Sequence, residues 1–294
     1  MCDLKAWSCS SKNKRKNKRK NKRKNRCKII INLVLKRTCM MSLNKKPTNI
    51  LLFIGISIGV NTSIGTYSIA KDVQAQREKM AQKSEVWKPV PAIVTTFDGK
   101  APSDATVLFN GEDLSAWQTL KGGEADWYLT DGNFTVNPGS GDIKTKQRFC
   151  DIQLHMEWKT PTEVKGLKGQ QRNNSGIFLQ QRYEIQILDS FNNPTYANGQ
   201  AASVYKQSIP LVNVMRPAGQ WQYYDIIYTA PRFDGTTLTN PAFVTVIHNG
   251  VLVQNHVKIQ GETEWIGSPS YEVHGCAPLQ LQDHGNQVSF RNLW

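Results

Sequence analysis

Residues 243–259 read FVTVIHNGVLVQNHVKI, two apolar runs on either side of Asn249-Gly250. Asn-Gly supplies the positive φ angles of a two-residue turn, so the stretch predicts a tight hairpin with strands at 243–248 and 251–259. The same texture extends outward. Residues 152–159 alternate, with Ile152, Leu154, Met156 and Trp158 on one face and Gln153, His155, Glu157 and Lys159 on the other. A second hairpin signal, Thr130-Asp131-Gly132, separates runs at 127–129 and 133–136. Further strands are expected at 107–109, 176–180, 183–188, 221–229, 278–282 and 287–294, with loops at 161–173 and 191–202. Many short strands with turn signals between them, and almost no helical period, define an all-β fold: a two-sheet sandwich or jelly roll.

The charge is concentrated outside that texture. Of the 37 Lys and Arg in the 294-residue chain, 17 lie in residues 1–70 beside one acid, Asp3, leaving 20 against 22 acids in the remainder. The net +14 therefore belongs to the leader, and no nucleic-acid partner is expected. Residues 1–40 form a basic low-complexity segment and are read as lying upstream of the true start. Residues 41–70 read as a secretory signal peptide: Lys45 and Lys46, an apolar run at 50–60, then small residues ending in Ser68-Ile69-Ala70. The expected location is secreted or periplasmic, with no stable membrane insertion after cleavage. Residues 71–104 are a polar linker with a short helix at 73–83, and residues 105–294 the globular domain. Of six cysteines only Cys150 and Cys276 fall in the domain, too few for a disulfide scaffold or a thiolate metal site. Either one disulfide or two buried thiols fits.

The densest polar constellation is NSGIFLQQRYEIQILDS at 174–190. Period two puts Glu184 and Gln186 on one strand face, roughly 7 Å apart. Asp189 is out of phase and joins them only through a bulge or a turn at Asp189-Ser190. Glu157 and His155 are expected on a neighbouring strand, Asn174 at the entry of another, and Gln280, Gln282 and His284 alternate near the end. A concave sheet lined in this way suits a carbohydrate, because hydroxyl groups need many donors and acceptors. Glu184 and His284 are the candidate bases, Glu184 favoured by its mid-strand place. Gln186 and Asn174 are candidates for binding hydroxyls or a carbonyl, and Gln282 and Tyr205 extend the substrate set, although a tyrosine such as Tyr205, like Trp117, is more often a core or rim residue than a contact. Asp189 and Glu157 are candidates to orient neighbours, or to hold a divalent cation with His155 or His284. Arg291 is either an anchor for a substrate oxyanion or the partner of one of the acids. His248 and His256 are expected to be exposed.

Glu-x-Gln-x-x-Asp resembles the Glu-x-Asp-x-x-Glu strand of laminarinase-type retaining glycosidases, but Gln186 and the shorter Asp189 depart from that pattern. The order of motifs is more specific. LFNGEDLSAW (108–117), WYLTDGNFTV (127–136), FCDIQLHMEW (149–158), NSGIFLQ (174–180), YEIQILDS (183–190), QWQYYDI (220–226), HNGVLV (248–253) and LQLQDHGNQVSFRNLW (279–294) stand in sequence. Over 105–294 the chain resembles the 3-keto-disaccharide hydrolase domain family. It departs at Cys150, where the family has a small residue, and at Trp294, beyond which the family's last strand continues. The resemblance implies a two-sheet concanavalin A-like jelly-roll sandwich and cleavage of glycosides oxidised to a ketone at C3. The chemistry expected is proton abstraction at C2, elimination of the aglycone and hydration, with a carbohydrate substrate supplied by a separate sugar 3-oxidoreductase. A non-catalytic carbohydrate-binding module and an ordinary glycosidase are the alternatives.

Overall fold

The computed structural model describes residues 62–97, 99–164 and 166–294. The basic segment at 1–40, and the part of the segment read as a signal peptide up to residue 61, lie outside the described residues. The chain divides into two units, 1–89 and 90–294. In the first, α1 (Thr62–Gln82) is longer than the expected 73–83 and begins inside the segment read as a signal peptide. Its second half is rich in Ala, Gln, Lys, Glu and Met, which lose little rotamer freedom in a helix, and nothing upstream of Pro89 interrupts it except Gly65. No described helix is long and apolar enough to cross a membrane.

The second unit is built from fourteen strands. One sheet has five, in the order β1 (Trp117–Thr119), β4 (Ile143–Thr145), β13 (Gln280–Leu281), β6 (Ser175–Leu179) and β7 (Tyr183–Ile187). The other has seven: β12 (Val251–Lys258), β11 (Phe243–His248), β8 (Gln222–Thr229), β5 (Ile152–Lys159), β14 (Ser289–Arg291), β3 (Asn133–Thr135) and β2 (Tyr128–Thr130). Every pairing is antiparallel. β9 (Arg232–Asp234) and β10 (Thr237–Asn240) form a separate ribbon. The hairpin at 243–259 forms as its Asn-Gly turn dictates.

Leu154, Met156 and Trp158 of β5, Tyr224, Ile226 and Tyr228 of β8, and Ile177, Leu179, Tyr183, Ile185 and Ile187 of the smaller sheet interleave in one core. Two hydrogen bonds tie the sheets across it: Tyr224 Oη donates to the Gln186 carbonyl (2.8 Å) and Tyr228 Oη to Gln180 Oε1 (2.7 Å). The domain is a concanavalin A-like jelly-roll sandwich. Cys150 and Cys276 are joined as a disulfide.

Three expectations need correction. His248 is buried, not exposed. It stacks on Trp158 and meets Tyr224 edge-on, and burial, reinforced by Arg216, pushes its pKa down to about 3, so it is a neutral part of the core. The run at 107–109 makes only an isolated bridge, Phe109 to Leu293. Most consequentially, β5 does not neighbour β7, because the two strands belong to different sheets.

Candidate active site

Period two gives β7 a core face (Tyr183, Ile185, Ile187) and an outer face (Glu184, Gln186). The antiparallel register sets Phe178 opposite Glu184 and Gly176 opposite Gln186. β13 continues the row, with Gln280 opposite Phe178 and the Gln282 amide donating to the Gly176 carbonyl (3.0 Å). On the far side of β7, the Tyr205 amide donates to the Glu184 carbonyl (3.1 Å), and the Glu184 amide to Thr263 Oγ1 (2.9 Å). These contacts wall a cavity of about 580 Å³ over the outer face. It is lined by Gln170, Gln171, Asn174, Phe178, Glu184, Gln186, Tyr196, Tyr205, Thr263, Trp265, Gln282 and His284.

Among the described residues Glu184 is the single carboxyl lining the cavity, and it is 5% exposed. Burial first, and then the negative charge of Asp142, push its pKa up to about 8. Among the described residues nothing hydrogen-bonds its carboxylate. The side chain lies on Gly176: a Cβ there would stand 2.6 Å from Glu184 Oε1 and 3.0 Å from its Cγ. Asp142 is held behind the site by Gln280 Nε2 (2.6 Å) and the Asp283 amide (2.8 Å).

The amides beside Glu184 are locked to one another. Gln186 Nε2 donates to Gln170 Oε1 (2.9 Å), and Gln170 Nε2 donates to the Gly199 carbonyl and Thr195 Oγ1 (both 2.8 Å). Asn174 Nδ2 donates to the Gln170 carbonyl (2.8 Å), which turns Asn174 Oδ1 away without a partner. Gln282 Oε1 is likewise buried and unpaired. Both residues line the cavity, but these two oxygens lie beneath its surface, and leaving them unpaired carries a desolvation cost. Trp265, 71% exposed, and His284, also exposed, form the rim.

The structure thus brings together Glu184, Gln186, Asn174, Tyr205, Gln282 and His284. It does not bring Asp189, Glu157 or Arg291 to them. Asp189 is fully buried beyond the end of β7, where it accepts from Arg172 Nε (2.9 Å) and caps a turn through the Phe191 amide (3.3 Å). Glu157 and Arg291 lie in the other sheet and bond to each other (2.6 Å), with Asn292 Nδ2 as a second donor to Glu157 (3.0 Å). His155 is beside them, stacked on Trp294 and bonded to Asp225 (2.7 Å). Burial opposes its charge, but the Asp225 and Glu157 carboxylates outweigh that and raise its pKa to about 9. The cation site once open to Asp189, Glu157 and a histidine is therefore not assembled, and no group of three or more His, Cys, Asp or Glu suited to a metal ion occurs among the described residues.

Sequence reasoning missed Gln170, Tyr196, Thr263 and Trp265. All four lie in connections without a period, and the one readable signal was the Asn-Pro and Asn-Gly punctuation around Tyr196.

A jelly-roll sandwich with a one-carboxyl, amide-rich cavity on the outer face of its smaller sheet defines the class. The chain belongs to the 3-keto-alpha-glucoside-1,2-lyase-like domain family, whose model matches residues 104–294. The structure is similar to a 2.13 Å crystal structure of a "putative glycosyl hydrolase" from Parabacteroides distasonis ATCC 8503. That protein is 55% identical over 72% of this chain and 94% of its own, with a TM-score of 0.70. A second P. distasonis structure with the same description, at 1.70 Å, is 22% identical over 64% of this chain and 91% of its own, with a TM-score of 0.47. No curated protein matches the chain.

Proposed function

We propose that residues 105–294 form an exported enzyme that cleaves glycosides bearing a ketone at C3, 3-keto-disaccharides among them. The observation that carries this reading is Glu184: a buried, unpaired carboxyl, its pKa pushed up to about 8, in a cavity lined by no second carboxyl among the described residues. Displacement at an acetal uses two carboxyls, about 5–5.5 Å apart when configuration is retained and about 6.5–9.5 Å apart when it is inverted. Removing a proton from carbon beside a ketone uses one base, most effective when its pKa lies near the working pH.

In this mechanism the Glu184 carboxylate takes the proton from C2. The C2–H electron pair forms the C2=C3 bond, and the carbonyl pair moves onto O3. Collapse of this enolate restores C3=O, forms C1=C2 and breaks the bond from C1 to the aglycone oxygen, which takes a proton from His284 at the rim. Water then adds at C1 and a proton returns to C2, so the net reaction is hydrolysis. Asn174 and Gln282, whose side chains line the cavity, bind sugar hydroxyls, and Trp265 offers an aromatic face to the aglycone. The ketone must be made beforehand by a sugar 3-oxidoreductase, because nothing in these steps oxidises a sugar. Export is supported by the signal-peptide pattern at 41–70 and by the Cys150–Cys276 disulfide, which suits an oxidising compartment.

Incubation with a 3-keto-glycoside and, separately, its unoxidised parent tests the reading. Cleavage of the keto form alone is expected. Cleavage of the parent would identify an ordinary glycosidase, and binding of either without turnover a carbohydrate-binding module.

Gly176→Ala tests the placement of the base. The new methyl meets the flexible end of Glu184 rather than backbone, so the fold absorbs it by moving the carboxyl. A displacement near 1 Å lowers turnover about 10²-fold, and the melting temperature should change little. Wild-type kcat in this variant would show that the position of Glu184 does not limit the reaction.

A further inference from the structure

We infer that the Tyr196–Tyr205 hydroxyl pair is the oxyanion donor of this site, with Tyr205 hydrogen-bonding O3 of the substrate and Tyr196 donating to Tyr205. The inference rests on the function proposed above and assigns the group that function still lacks. Proton abstraction at C2 places a full charge on O3, and a preorganised donor at that oxygen is worth more than any other contact in such a step.

The amide donors beside Glu184 are committed: Gln186 Nε2 and Gln170 Nε2 each reach two protein oxygens, and one N–H of Asn174 Nδ2 is bonded to the Gln170 carbonyl. The two tyrosines differ. Their hydroxyls are 2.6 Å apart, so one proton bridges them and the other has no acceptor among the described residues. Both line the cavity. A hydroxyl that accepts one hydrogen bond donates its own proton more strongly.

The pair is also fixed beside the base. The Tyr205 amide is bonded to the carbonyl of Glu184 itself (3.1 Å), which ties the donor and the base to one strand edge. Gln171, Gln282, His284 and Trp265 have no such tie, and Thr263, whose hydroxyl accepts from the Glu184 amide (2.9 Å), offers a single hydroxyl rather than a hydrogen-bonded pair. The Tyr196 ring rests on Gly199, where a Cβ would approach ring Cε2 to 2.1 Å. The Lys206 amide closes the loop on the Asn198 carbonyl (2.8 Å), and its ammonium lies 5.8 and 6.0 Å from the two ring centroids. Burial, reinforced by Tyr196, keeps the proton on Tyr205.

The test uses Tyr205→Phe and Tyr196→Phe in the full chain with two substrates. One is a 3-keto-glycoside with a chromogenic aglycone. The other is a 3-keto sugar with hydrogen in place of the C1 leaving group, on which only exchange of the C2 proton with D2O can be seen. Tyr205→Phe should lower both kcat and C2 exchange by about 10²- to 10³-fold, with KM within about threefold and the melting temperature unchanged. Tyr196→Phe, acting through Tyr205, should lose about tenfold or less on both. Exchange by Tyr205→Phe within about twofold of wild type, a loss confined to KM, or a larger loss in Tyr196→Phe than in Tyr205→Phe overturns the assignment and leaves the function standing. If the wild-type protein neither exchanges C2 nor cleaves the keto-glycoside, the function fails and the assignment with it.

Discussion

Glu184→Gln is expected to lower kcat on a 3-keto-glycoside by about 10³-fold while making the protein more stable at pH 8. The amide is isosteric, so it occupies the same space over Gly176 but takes no proton. The stability gain follows from burial. In the unfolded chain Glu184 ionises at its ordinary 4.5, whereas in the folded protein it holds its proton up to about 8. Between those values the folded state binds the extra proton, so stability falls as pH rises through the window and levels off above it. At pH 8 that loss is on the order of a few kcal/mol, and the uncharged amide of the variant avoids it. Thermal denaturation of both proteins at pH 4 and pH 8 reads the effect: near-coincident curves at pH 4, and a higher melting temperature for Glu184→Gln at pH 8. A variant that loses activity and is also less stable at pH 8 would mean that the carboxyl is held by a partner rather than stored unpaired.

The pH dependence of turnover is the second large effect. A base must be deprotonated, so with an aglycone that leaves without a proton from His284, kcat/KM should rise about tenfold per pH unit in the acid range and level off above about 8, where Glu184 has lost its proton. A retaining glycosidase working through a low-pKa nucleophile would instead reach its maximum in mild acid. A profile already flat from pH 5 to pH 8 would remove Glu184 from the base role and leave His284 to be tested in its place.

Much of the sandwich was legible because its strands repeat one short-range rule. The alternation in 152–159 and the Asn249-Gly250 turn each specify local structure whatever surrounds them. β1 and β4 were not legible, since three residues are too few to display a period and their pairing is set by partners far away in sequence. The turn between β6 and β7 places Gln180 and Gln181 at positive φ, where Gly or Asn would be expected. Gln180 accepts that backbone because its buried amide bonds to the Phe149 carbonyl and to Tyr228 Oη. For the site, period two was enough to put Glu184 and Gln186 together. It could not say which of two outer sheet faces a polar row occupies, and so it grouped Glu157 and Arg291 with a strand in the opposite sheet. Asp189 failed for a related reason: β7 ends at Ile187, and beyond that end Arg172 rather than the sheet decides where the carboxylate points. Tyr196 and Trp265 reach the cavity through loops whose course is set by tertiary contacts, such as the Tyr205 amide on Glu184 and the Lys206 ammonium on Trp265.

The most direct measurement is cleavage of a 3-keto-glycoside in D2O, with the released 3-keto sugar examined at C2 by NMR at early times against the sugar incubated alone. Abstraction, elimination and hydration break the C2–H bond in every turnover, and once Glu184 has exchanged with solvent the proton returned to C2 is deuterium, so the product should carry deuterium at C2. Full-rate cleavage that leaves hydrogen at C2, and that is not slowed when deuterium is placed at C2 beforehand, would show direct displacement at C1 and contradict the role assigned to Glu184.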